Sequence, residues 1–221
     1  MKYNFVTEEV IPEKLTSMRK CGHEGVDELL WITEDQGAFG DETDGPLYDW
    51  ITGRDDFLAN VKKRDTVITA GGNCGMYVRF YKNYFKNVYS FEPEDVCFYC
   101  LERNCVGEGY HLYHGGLGDT TNKLSLAKSP APTNHGMHQI SNFPGNVQMY
   151  RIDDLDLQEC DLIHLDVEGF EARALIGSLE TIKKFSPVII LERASGREVI
   201  EPLGYKLVKS LRMDSIFVRE A

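Results

Sequence analysis

From Thr66 onward, short continuous apolar runs alternate with longer segments whose apolar residues return at helical spacing. "TVITA" (66–70), "NVYSF" (87–91), "YHLYH" (110–114), "DLIHLDV" (161–167) and "PVIILE" (187–192) read as strands. Between them, Met76 to Phe85, about Glu94 to Asn104, and "FEARALIGSLETIKKF" read as helices. In the last of these, Ala172, Leu175, Ile176, Leu179 and Ile182 share one face. A short helix around Arg197 to Leu203 precedes "YKLVKSL" and "SIFVRE", which flank "RMD" as a terminal hairpin. "KLSLA" and "NVQMYRI" read as strands on either side of "KSPAPTNHGMHQISNFPG", a long proline-containing loop of the kind that is usually functional or mobile. Residues 1 to about 60 carry short helical patterns broken by the polar, glycine-rich "DQGAFGDETDGP".

Repeated strand–helix–strand units predict an α/β fold, a mainly parallel sheet with helices on both faces and a C-terminal antiparallel hairpin at one edge. The chain divides on this reading into an N-terminal helical and loop extension over 1–60, covering the site, and a main domain over 61–221. In such sheets the ligand crevice lies beyond the carboxyl ends of the strands, near the switch in strand order.

Composition narrows the function classes. A formal net charge of −11, with no long basic run, argues against a nucleic-acid partner. No apolar stretch has the length of a membrane span, and "MKYNFVTEEVIPEKL" carries acids where a secretory signal carries an apolar run, so no membrane partner and a cytoplasmic location are expected. Cys97, Cys100 and Cys105 are the closest cysteine cluster, but the first two fall in a helix and read as buried small hydrophobes. No metal is expected.

The chemistry concentrates at "TVITAGGNCGMY", where a strand runs into Gly71, Gly72, Asn73 and Gly75 and then a helix. Such a turn admits a small molecule against bare main chain. The next strand ends in "SFEPED", which puts Glu92 in place to accept hydrogen bonds from a ribose diol, with Pro93 starting the next helix. No G-x-x-x-x-G-K-[ST] segment exists, and G-G-N-C-G departs from the dinucleotide turn G-x-G-x-x-G, so phosphate ligands fit poorly. S-adenosylmethionine offers ribose and adenine with a carboxylate in place of the pyrophosphate, and the turn's backbone N–H groups are expected to donate to that carboxylate.

"VITAGGNCGMY" followed by "VYSFEPEDVCFYCLERN" resembles the FkbM-type methyltransferases, with their V-[IF]-D-V-G-A-N-I-G and A-F-E-P segments. "YRIDDL", "CDLIHLDVEGFEARALIGS" and "PVIILE" continue the resemblance in the same order, and "GPLYDW" resembles the short G-x-[FY]-E segment upstream. The resemblance spans roughly Pro46 to Leu211. It implies a Rossmann-like class I methyltransferase fold and S-adenosylmethionine-dependent transfer to a small-molecule acceptor, typically an oxygen of a sugar or natural product. With the residues read above, the expected cofactor site comprises Thr69, Gly71, Gly72, Asn73, Gly75, Glu92, Pro93, Asp119 and Asp166, with Tyr48 either covering the cofactor or packing on the sheet edge. One departure stands out: the family has an acid where this chain has Thr69, which supplies a hydrogen bond without charge.

Methyl transfer from a sulfonium needs alignment of the nucleophile and, for an alcohol, a general base. "HLDVEGFE" offers Asp166, Glu168 and Glu171 at the crevice, with the resemblance placing Asp166 and Glu168 on the family's D-V-E positions; the bland alternative is a helix cap. His138, with His135 in the long loop, is the other candidate base, whereas His164 within a strand reads as packed or paired. Glu192 ends the fifth strand, facing the acceptor or lying on the rim, and Asp119 can accept from an adenine amino group or serve its turn. Two functions remain: a small-molecule O-methyltransferase, and a non-catalytic nucleoside-binding domain on the same fold.

Overall fold

The computed structural model describes residues 12–23, 26–35, 37, 54–129 and 133–220. A four-residue helix, α1 (Pro12–Leu15), leads into β1 (Thr16–His23) and β2 (Val26–Ile32), an antiparallel hairpin. Then come α2 (Arg54–Ala59), β3 (Thr66–Ala70), α3 (Met76–Lys82), β4 (Asn87–Glu92), α4 (Asp95–Asn104) and β5 (Tyr110–His114). Short strands β6 (Gly116–Leu117), β7 (Lys123–Ala127), β8 (Gln139–Pro144) and β9 (Val147–Tyr150) form a separate sheet in the order β6-β9-β7-β8. The chain ends with β10 (Leu162–Leu165), α5 (Glu171–Ile176), α6 (Leu179–Phe185), β11 (Val188–Glu192), α7 (Arg197–Ile200), β12 (Tyr205–Ser210) and β13 (Asp214–Arg219). No helix among the described residues is long and apolar enough to cross a membrane.

The main sheet has the order β12-β13-β11-β10-β3-β4-β5, parallel except where β13 pairs antiparallel with β11 and β12. The order reverses between β3 and β10, so the crevice expected of such sheets lies beyond Ala70 and Leu165. Alternation divides the core. Val67, Val88, Leu162, Val188 and Ile190 pack on one face with α3, α4, β2 and α2. Ile68, Phe91, Ile163, Leu165, Ile189 and Leu191 pack on the other with residues of α5, α6 and α7.

Three local expectations are corrected. The helical reading of residues 1–60 fails at Thr16–His23 and Val26–Ile32, which pair as the antiparallel strands β1 and β2. Val26, Leu29 and Leu30 recur at helical spacing, but Val26, Leu29 and Trp31 are buried as a strand lying on α4, where Asn104 donates to Leu30 O (2.8 Å) and accepts from Leu30 N (2.8 Å). The same amide donates to Cys74 O at 2.6 Å and so ties the hairpin to the glycine turn. The long loop is partly ordered as β8, paired antiparallel to β7. Finally, "FEARALIGSLETIKKF" is two helices. A side chain at Gly177 would meet Gly118 O at 1.9 Å, and Asp153 accepts from Glu180 N (3.2 Å) and Thr181 N (2.8 Å), starting a new helix there.

Candidate functional site

The glycine turn is shaped by its own protein neighbours. Gly71 (φ +81°) and Gly75 (φ +99°) occupy the left-handed region. A Cβ on Gly71 would lie 1.9 Å from Asp166 O, so the turn closes against the end of β10 main chain to main chain. Asp166 N donates to Ala70 O (3.1 Å), completing that seam.

Every amide from 71 to 75 is already paired inside the protein. Gly71 N and Gly72 N donate to Phe91 O (3.1 and 3.0 Å), Asn73 N to Glu92 Oε2 (2.7 Å), Cys74 N to Asn73 Oδ1 (2.7 Å) and Gly75 N to Gly72 O (2.9 Å). Contrary to expectation, residues 71–75 therefore have no free N–H to donate to a ligand carboxylate. The glycines supply close approach and bare surface instead.

Glu92 ends β4 with its carboxylate buried, accepting from Asn73 N through one oxygen and from Glu94 N (2.8 Å) through the other. Each oxygen keeps a further acceptor site. Burial raises its pKa from 4.5 to about 7, against the lowering effect of the two amides. An acid raised in this way stabilises the fold below its unfolded pKa, and that contribution is lost as pH rises through about 7. For a ligand whose hydroxyls donate to the ionised carboxylate the sign is opposite. Affinity is expected to rise with pH up to about 7 and to level off above it, falling by up to about tenfold per pH unit below. Calorimetric titrations with S-adenosylhomocysteine at several pH values check this, and Glu92→Gln should flatten the profile.

One layer beneath the strand ends runs a polar row on the first face of the sheet: Ser90 beside Thr69, and Thr69 beside His164. All three are buried. His164 is packed and paired, as its sequence context predicts. Its Nδ1 lies 2.8 Å from Tyr81 Oη, its Nε2 lies 3.6 Å from Asp214 Oδ1, and its ring packs edge-on against Phe57 and Tyr77.

Above this row the carboxylates converge. Asp166, Glu168 and Glu192 each bring an oxygen to within 4.8 Å of the others. Burial, then the charge of Glu192, pushes Asp166 well above the usual carboxylate range; burial and Glu192 also raise Glu168. Glu192 is raised by burial too, although Arg193, 3.1 Å from its Oε1, pulls the other way. Glu168 holds a left-handed backbone (φ +51°) next to Gly169 (φ +96°). The helix-cap reading of Asp166 and Glu168 finds no contact to carry it: Phe170 is the N-cap of α5 and no side chain caps the helix, while the loop amides of Val167 and Gly169 donate to Glu171 Oε1 (3.2 and 3.3 Å). Glu171 therefore belongs to the site, and Asp214, which the sequence marks only as a hairpin turn, stands opposite Glu192 in the β11–β13 pairing.

Other candidates go elsewhere. His138 Nδ1 donates to His135 O (2.7 Å) and its ring meets His135 edge-on, while His135 lies 3.8 Å from Glu94; Gly136 packs against Asn73. This loop thus sits over the glycine turn, and among the described contacts none joins His138 to Asp166 or Glu168. Asp119 accepts from Arg173 Nε (2.8 Å) and Nη2 (2.5 Å), a structural pairing across to α5. Pro93 is half-buried between Glu92 and Glu94, whose side chain caps α4 at Cys97 N (2.6 Å). Tyr48 lies outside the described residues. Cys97 and Cys100 are buried, as expected, with Cys74 beside them. A cavity of about 500 Å³ between the hairpin, α3 and α4, lined by residues such as Leu30, Arg79 and Asn104, contains none of these carboxylates.

The family model for the methyltransferase FkbM domain matches residues 67–218. No curated protein matches the chain. Among solved structures, methyltransferase FkbM from Methylobacillus flagellatus KT is 16% identical with a TM-score of 0.46, covering 70% of this chain, which spans 43% of that one. The ribosomal protein L11 methylase from Lactobacillus delbrueckii subsp. bulgaricus is 12% identical with a TM-score of 0.48, covering 75% of each chain. The TehB-like SAM-dependent methyltransferase from Corynebacterium glutamicum is 11% identical with a TM-score of 0.44, covering 84% of this chain and 92% of its own. The sheet order and terminal hairpin make the fold the Rossmann-like class I methyltransferase fold. By the extent and position of the family match, the chain belongs to the FkbM methyltransferase domain family.

Proposed function

We propose that this methyltransferase uses S-adenosylmethionine to methylate a hydroxyl of a small molecule, with a saccharide as the favoured acceptor class. One observation carries the reading. Three acids, Asp166, Glu168 and Glu192, converge at the switch in strand order, directly beside the closed glycine turn. Their negative character suits a ligand bearing ammonium and sulfonium charges. Glu92 is positioned to accept from ribose hydroxyls, and Asp166 to face the methionine ammonium. The cofactor supplies a methyl group already activated on a sulfonium. Glu168 accepts the acceptor's hydroxyl proton as the oxygen–methyl bond forms, while the methyl–sulfur bond breaks and its electron pair stays on sulfur. The net charge of −11 favours an uncharged small acceptor over a polyanion. The described part of the N-terminal extension approaches this site at Gly37. Gly37 lies against Asn134, so that the extension reaches the loop over the glycine turn.

The non-catalytic alternative draws on Thr69, buried and uncharged where the family carries an acid. Thr69→Asp is expected to tighten cofactor binding by adding a carboxylate for the ammonium, at some desolvation cost. Calorimetry on the folded variant decides: weaker binding means that the site has been rebuilt around threonine. Incubation with methyl-labelled S-adenosylmethionine and a panel of saccharides separates the two functions. Label on an acceptor oxygen supports transfer, whereas saturable cofactor binding without label transfer to any saccharide tested points to the binding domain.

A further inference from the structure

We propose that Asp166, Glu168 and Glu192 form a divalent-cation site that takes a hard ion through carboxylate oxygens and leaves positions open for the acceptor's hydroxyls. The three oxygens come from the end of β10, the loop after it and the end of β11, and lie within 4.8 Å of one another. Opposite oxygens around a Ca²⁺ ion are about 4.6–5.2 Å apart, so the cluster fits inside one Ca²⁺ coordination sphere, and it contracts slightly to hold Mg²⁺, at about 4.0–4.2 Å. The donor set has neither sulfur nor imidazole, which selects Mg²⁺, Mn²⁺ or Ca²⁺ over zinc or copper.

A second observation points to the same ligand. Glu171 is fully buried behind the cluster. Its Oε1 is held by the amides of Val167 and Gly169, in the loop that carries Asp166 and Glu168, while its Oε2 is buried without a hydrogen-bond partner. Those two amides flank Glu168, and the first directly follows Asp166, which sets the Glu171 carboxylate against the loop that carries two of the three ligands. A water bound to the cation supplies the donor that this oxygen lacks, in the way outer carboxylates commonly orient a metal's ligands. The compensating charge in the surroundings is sparse. Arg193, at 3.1 Å from Glu192 Oε1, has a mostly exposed side chain, and His164 reaches only Asp214, at 3.6 Å.

The site itself stands on these contacts alone; its role at the acceptor rests on the methyl-transfer reading. A cation there binds one or two adjacent hydroxyls of a saccharide and lowers the pKa of the one that attacks. Each acid gives it one oxygen, which leaves the second oxygen of Glu168 to accept the proton.

Mn²⁺ alone is the probe, titrated into the chelator-treated full chain without cofactor and followed by the electron paramagnetic resonance of the free ion. The expected result is one site with a dissociation constant of about 10⁻³ M or tighter. Asp166→Asn and Glu192→Gln should each weaken it at least about tenfold, and Glu171→Gln by about 10–100-fold. Glu168→Gln, at a half-exposed position, provides a second ligand variant if either of the first two fails to fold, and Glu102→Gln, exposed beside Arg103, should leave binding unchanged. No saturable site, or a site indifferent to every one of the cluster substitutions, overturns the proposal. A parallel titration with S-adenosylhomocysteine in metal-free buffer keeps the readings apart: cofactor binding without a Mn²⁺ site defeats the cation site alone, and a Mn²⁺ site without cofactor binding defeats the methyl-transfer reading alone.

Discussion

Glu168→Gln is expected to lower turnover of the methyl acceptor about 10²–10⁴-fold, the range a positioned general base contributes. Cofactor affinity should change far less, because Glu92 at the ribose and Asp166 at the ammonium remain in place. Stability should not fall either. The loop amides near Glu168 are held by Glu171, and α5 has no side-chain cap to lose. Burial and the neighbouring Glu192 raise the pKa of Glu168, so its contribution to stability is present in acid and lost as pH rises through that raised value. At alkaline pH the glutamine variant should therefore melt no lower than the parent. Surviving turnover with a lower melting temperature makes Glu168 a structural residue and moves the search for a base to His138.

The second large effect falls on the fold. Gly71→Ala places a Cβ 1.9 Å from Asp166 O, main chain against main chain, on a residue with φ +81°. Left-handed strain of about 1–2 kcal/mol and an overpacking penalty of about 1–3 kcal/mol both apply, so the loss should reach at least about 2 kcal/mol. Gly107→Ala is the control, since that glycine also has positive φ (+111°) but nothing within 4 Å of the added carbon. Thermal unfolding should separate the two by several degrees, since about 1 kcal/mol corresponds to about 2–4 °C in a chain of this size. Equal melting temperatures would mean that the seam between the turn and β10 can open without cost.

The parallel sheet and its crevice were legible because each central strand is an apolar run bounded by a turn, a pattern that local sequence carries. Thr69, Glu92, Asp166 and Glu168 could be marked for the same reason, as polar residues ending apolar runs. What escaped depends on contacts distant in sequence. The β1–β2 hairpin is held by Asn104 and buried against α4, and Val26, Leu29 and Leu30 fit helical spacing equally well. The break at Gly177 exists because Gly118 O occupies the space of a side chain. Spare turn amides were expected from three glycines, whereas Phe91 O, Glu92, Asn73 and Gly72 O use all of them. Glu192 was readable as a strand end, but its meeting with Asp166 and Glu168 follows from the pairing of β10 with β11. Asp214 sits near that meeting because β13 lies antiparallel beside β11, opposite Glu192.

The central claim is that a nucleoside cofactor lies across the glycine turn with its ribose on Glu92. Calorimetric titration of the parent protein and Glu92→Gln with S-adenosylhomocysteine, at a pH well above 7 where Glu92 is ionised, tests it most directly. The account predicts one saturable site in the parent and a loss of at least about tenfold in the variant, the equivalent of about 1.5 kcal/mol or more for a charge-assisted hydrogen bond. Absence of saturable binding in the folded parent, or equal affinity in the two proteins, contradicts it.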